Sequence, residues 1–195
     1  MRALLSIIVV LALCLGACGA KPASGAKAQG SASPAGVAPD HAVDGFYAAY
    51  RALPAGGGVP DEDARATLAP FISPALNKLL SEADAAETAY AKATNGESPP
   101  LIEGDPFSSL FEGATGYEVG KCEGDAQEQQ CVVDLVYDDK SAKPTKWQDT
   151  ADVVMTEKGW RVVDIEFGVT CDFANKGRLT ELLKAAIDES KKPVE

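Results

Sequence analysis

Residues 147–167 read WQDTADVVMTEKGWRVVDIEF, two runs rich in β-branched and aromatic residues broken once by Glu157-Lys158-Gly159. The spacing predicts strands from Trp147 to Thr156 and from Trp160 to Phe167, joined by a three-residue hairpin loop with glycine where a left-handed residue is wanted. In the register that pairs Thr156 with Trp160, Asp152 faces Asp164, and two like charges so placed raise the pKa of one. A slip of one residue dissolves that pair. An acidic stripe exposed to solvent is therefore expected ahead of an acid/base dyad.

Working upstream, the same alternation marks Tyr117 to Cys122 and Cys131 to Tyr137, so four strands are expected as an antiparallel meander. Helical spacing takes over before them. Val43, Phe46, Tyr47, Tyr50 and Leu53 recur on one face behind a capping Asp40, and Pro54 stops the run. Asp61 starts a short second helix to about Ala69. Ser73-Pro74 pairs a capping serine with proline at the first helical position. Leu76, Leu79, Leu80, Ala83, Ala86 and Tyr90 follow on one face until Asn95-Gly96, an Ala-rich helix suited to packing on a sheet, with Glu82, Asp84 and Glu87 as its solvated side. A last helix runs from about Lys176 to Ser190. Helices, then an antiparallel sheet, then one helix predict an α+β fold with helices laid on one face of the sheet.

The N-terminus carries an address. Arg2 precedes an apolar run to Leu15, and Leu15-Gly16-Ala17-Cys18 looks like the lipobox of bacterial lipoproteins, whose cysteine is acylated and becomes the new N-terminus. Residues 1–17 are then a signal peptide. A membrane span needs about 20 apolar residues, more than this run supplies. Cleavage after Ala20, releasing a soluble secreted or periplasmic protein, is the competing outcome. Gly19 in place of aspartate resembles sorting to the outer membrane. Apart from Lys21, Lys27, Gln29 and Val37, every residue from Gly19 to Pro39 is Ala, Gly, Ser or Pro, too little apolar surface to offset ordering. Residues 18–39 read as a tether and 40–190 as one domain.

The chain carries 18 Lys and Arg against 29 Asp and Glu. That balance argues against a nucleic-acid partner and against a polybasic grip on lipid headgroups, leaving the lipid on Cys18 as the membrane contact. Of the five cysteines, Cys14 leaves with the leader. Cys122 and Cys131 bracket the polar EGDAQEQQ at the ends of adjacent strands, within reach of a disulfide in an oxidising compartment, and Cys171 is the odd thiol. No Cys-x-x-Cys exists and the single histidine, His41, lies beside the tether, so neither a zinc site nor a serine- or cysteine-type nucleophile with a base is expected. No cofactor is implied. The glycines at 56–58 lack the lysine and spacing of a phosphate loop.

Leu101 to Glu112 set four large apolar residues among Gly, Pro and acidic groups. Asp105-Pro106 reads as cap and first helical residue. The alternative is a loop at the mouth of a pocket, with Phe107 and Phe111, spaced by four, sharing one apolar face. Asp105, Phe107, Phe111, Trp147, Trp160 and Asp164 are the residues expected at a pocket or partner surface.

Phe46-Tyr47 with Tyr50-Arg51, Leu68-Ala69-Pro70-Phe71-Ile72-Ser73 with Leu76 and Leu79-Leu80, Asp105-Pro106-Phe107-Ser108-Ser109, Trp147-Gln148-Asp149, and Gly159-Trp160-Arg161-Val162-Val163-Asp164-Ile165 occur in order. Together they resemble the pattern of the YbjP/YqhG-type bacterial lipoproteins over roughly residues 43–188. That resemblance implies a domain similar to the nuclear-transport-factor-two-like group, cone-shaped α+β folds whose curved sheet wraps a long helix around an apolar cavity. Enzymes of the group place His, Asp or Tyr inside the cone; here the histidine lies elsewhere. The expected function is a non-catalytic, periplasm-facing binding domain for a small apolar ligand or an envelope protein, such as an efflux or secretion component. Two alternatives stand beside it: an acid/base enzyme with carboxylates in the cone, and an immunity protein against a delivered toxin.

Overall fold

The computed structural model describes residues 38–54, 57–140, 143–170 and 174–193. Cys18 and Cys171 lie outside them. Among the described residues four helices and four strands follow in the order α1 (Pro39–Arg51), α2 (Glu62–Leu68), α3 (Pro74–Ala93), β1 (Gly116–Gly124), β2 (Glu128–Tyr137), β3 (Thr145–Thr156), β4 (Gly159–Glu166) and α4 (Leu179–Glu189). The strands form one open antiparallel sheet in chain order. The chain is α+β, with the meander expected from residues 147–167.

The hairpin differs in register. Thr156 pairs with Gly159 and Met155 with Trp160, so the loop is the two residues Glu157 and Lys158. Val163 is then extruded as a bulge, and Asp152 returns opposite Asp164. Two offsets of one residue cancel. The bulge also changes the strand's phase, because Trp160 and Val162 face inward before it and Ile165 and Phe167 after it. A second bulge, in β1 between Val119 and Cys122, precedes the Cys122–Cys131 pair. Those two sit directly opposite one another inside the ladder, joined by a disulfide with Cα atoms 3.9 Å apart.

Helix placement overturns one expectation. It is α1, not the longest helix, that lies across the sheet, meeting all four strands through Val43, Phe46 and Tyr47. Large side chains fill the space over a sheet; α3 instead packs mainly on α4, and Ala83 and Ala86 are among its buried residues, with Leu183 and Ala186 among those of α4. The N-cap of α1 is Ala38, with Pro39 in the first turn, so Asp40 falls inside the helix rather than capping it. Ser73 caps α3 as expected, accepting from the Leu76 N–H at 3.1 Å. All three acids expected on a solvated face are engaged: Glu82 stays exposed and pairs with Lys78 one turn back, Asp84 takes the Arg65 guanidinium at 2.7 Å, and Glu87 accepts from the Leu101 N–H at 3.0 Å. Both sheet edges are finished differently. The outer edge of β4 pairs with Phe71–Ser73 through Ser73 N–H to Val162 O (2.8 Å) and Val162 N–H to Phe71 O (2.9 Å), while β1 lies at the other end of the sheet.

Candidate functional site

Between α3 and β1 the chain makes no helix. Asp105 accepts from the Phe107 N–H at 2.8 Å, a local turn that competes with helical bonding, and its own N–H donates to Phe111 O at 2.9 Å, closing a tight loop. The expected helix at Pro106 is lost to these bonds and to anchors from elsewhere. Ser109 donates its N–H to Asp149 Oδ2 at 2.8 Å and its hydroxyl to Asp149 Oδ1. Asn175 donates from Nδ2 to the carbonyls of Asp105 (2.9 Å) and Ser108 (2.8 Å). The loop is thus clasped between β3 and the segment before α4.

Phe107 and Phe111 point apart. Phe107 is fully buried, edge-on to Phe46 at 5.3 Å and to Tyr50 at 4.8 Å, so an aromatic side chain occupies the space between α1 and the sheet. Phe111 is 49% exposed and is the large apolar side chain left facing solvent among the described residues. The shared apolar face expected of this pair is not formed, because a loop does not keep helical spacing. Trp147 and Trp160 are core residues; the Trp147 indole donates to Asp149 at 3.2 Å.

Asp164 lies at a different place. Its carboxylate accepts from the Thr180 N–H at 3.0 Å and hydroxyl at 2.8 Å and from Arg178 Nε at 2.9 Å. Arg178 also meets Asp152, and Glu166 at 3.2 Å. The facing carboxylates are neither a bare stripe nor a dyad: they form a tertiary cap that holds the start of α4.

A groove of about 1110 Å³ lies between the end of α1, residues 57–67 and the loop 104–115, with the buried Asp105, the half-buried Tyr50 and the exposed Phe111 in its lining. Gly57, at φ +63°, lets the backbone close on residue 104, where a Cβ would lie 2.7 Å from Gly104 O. Gly113 makes room for Asp105, since a Cβ there would stand 2.2 Å from Asp105 Oδ2. Asp105 is only 5% exposed. Burial lifts its pKa to about 6, against the Tyr50 hydroxyl and the Phe107 N–H, which pull it down. Burial likewise raises Asp149, opposed by its bonds from Gly168, Ser109 and Trp147. Tyr47 and Tyr50 are raised by burial and by these carboxylates. The Tyr47 hydroxyl is enclosed without a hydrogen-bond partner among the described residues.

Of the six expected residues the structure brings two together, Asp105 and Phe111. Asp149 was missed, although it sits at an inward position of β3 between Trp147 and Ala151, where an acid signals a buried partner. Arg178 and Asn175 gave no such signal. No group of three metal-ligating side chains occurs among the described residues, and no helix among them is long and apolar enough to cross a membrane. Comparison with protein families, characterised proteins and solved structures finds no match.

Proposed function

We propose that this chain is a bacterial envelope lipoprotein of the YbjP/YqhG type, acylated at Cys18 on the outer membrane, whose periplasm-facing domain binds a ligand or a protein partner without catalysis. The observation that carries the binding role is Phe111, a large apolar side chain held in solvent on the wall of a groove by a loop with buried anchors. An exposed aromatic beside a concavity marks interaction surfaces. The lipobox-like Leu15 to Cys18 and the acidic composition support the location and argue against nucleic acid.

Two measurements test this. Labelled palmitate is expected on the wild-type protein and absent from Cys18→Ser. A photoreactive phenylalanine at position 111 is expected to give one discrete adduct in intact cells, whereas the same probe at Thr88, exposed on α3, gives none. Palmitate on the serine variant refutes the anchor; identical cross-linking at both positions refutes the site. The acid/base enzyme reading rests on Asp105, the one buried carboxylate in the groove lining, and its mark is turnover abolished by Asp105→Asn.

A further inference from the structure

The binding role just proposed leaves the chemistry of the occupant open, and the groove itself narrows it. Among the described residues its lining carries four carboxylates, Asp61, Asp63, Asp105 and Glu112, against one guanidinium, Arg51. Arg51 is turned to other work. Its Nη2 donates to Thr115 O at 2.6 Å, and its charge lies over the Tyr117 ring, 5.8 Å from the centroid. Asp61 spends one oxygen capping α2, accepting from the Ala64 N–H at 2.9 Å. The remaining field is negative, and Tyr50 and Phe111 add aromatic surface of the kind that attracts cations. Leu53, Val59 and Pro60 line the same groove and suit an apolar arm. An anionic ligand meets four like charges there, and a neutral one leaves them without a counter-charge.

We propose that the groove takes an organic ammonium group on an apolar arm, with the Asp105 carboxylate as counter-charge and Tyr50 and Phe111 as the aromatic surfaces beside it. Asp105 suits this role because it is fixed. Tyr50 and the Phe107 N–H hold its oxygens, Asn175 holds its carbonyl, and Gly113 sets the clearance around it. A carboxylate so placed discriminates charge from shape, since an uncharged isostere gains only the apolar contacts.

Protonation adds a second signature. The groups facing Asp105 are Tyr47 and Tyr50 from α1 and Asp149 from β3, with Asp61, Asp63, Glu112 and Arg51 along the groove wall. Tyr47 and Tyr50 stay neutral across the acid range, and Asp105, raised to about 6 by burial, loses its charge between neutral pH and pH 5.

The test uses the purified full chain in detergent and three probes of one shape: benzylamine, charged throughout the range used, benzyl alcohol and benzoate. Calorimetry at pH 7.5 is expected to show benzylamine binding about tenfold more tightly than benzyl alcohol, with benzoate weakest. Asp105→Asn brings the amine to the level of the alcohol, and lowering the wild type to pH 5 weakens amine binding several-fold while leaving Asp105→Asn unchanged. Phe111→Ser, at an exposed position that leaves the core intact, weakens amine and alcohol alike. Equal binding of amine and alcohol overturns the inference, as does an amine preference that survives in Asp105→Asn. If the alcohol binds in a Phe111-dependent way without amine preference, the groove reading stands and the cation inference falls. If no probe binds, the cation inference falls and cross-linking at position 111 decides the groove on its own.

Discussion

At the scale of single residues, Asp105 carries an acid group into a place with little water, and the sign of its effect on stability follows. Its folded pKa of about 6 lies above that of an unfolded aspartate, so between roughly pH 4 and 6 the folded chain holds a proton that the unfolded chain has released. The favourable contribution is complete below about pH 4 and is lost as pH rises through 6, on the order of 3 kcal/mol in all. Asp105→Asn is expected to flatten this dependence and to raise the urea midpoint at pH 7.5 relative to wild type, with the difference shrinking steadily as pH falls to about 4. A variant less stable at pH 7.5 contradicts the account. Asp149, on β3, was legible as a buried acid from the alternation Trp147, Asp149, Ala151, Val153. Its partner Ser109 was not, since the contact spans 40 residues of chain and no local pattern encodes it.

Among the elements, α4 depends on a single side chain. Arg178 meets Asp152, Asp164 and Glu166, and Asp164 is 9% exposed, so Arg178→Met leaves a mostly buried acid facing another. A loss of about 3 kcal/mol is expected, with hydrogen exchange accelerated first in Leu179–Glu189. Adding Asp164→Asn to that variant should recover part of the loss, because the two sites share one network; strict additivity argues against the clamp. Strands and helices were legible in the sequence because alternation and caps are local signals, with Ser73-Pro74 and the hairpin as the clearest. The clamp was not. Three of its four members come from strands whose register is set by the bulge at Val163, and the expected turn reached the right Asp152–Asp164 pairing through a different loop. The helix expected at Pro106 failed for the opposite reason, a good local signal outweighed by anchors from β3 and Asn175.

Over the whole molecule, Cys122–Cys131 ties β1 to β2 across a sequence separation of 9. Replacing both with alanine is expected to cost about 3 kcal/mol in the chain-entropy view while leaving the sheet in place, because the ladder continues on both sides of the pair. Thermal unfolding with unchanged circular dichroism checks this, and an unaltered midpoint refutes it. The bulge beside that disulfide has a wider consequence. A sheet ending in a straight, uncharged strand is a template on which copies line up into fibrils. Here the extra residue after Val119 bends β1, Lys121 brings a charge into it, and Phe71–Ser73 occupies part of the far edge. Molecules crowded side by side meet through side chains, and the ladder stops within each one.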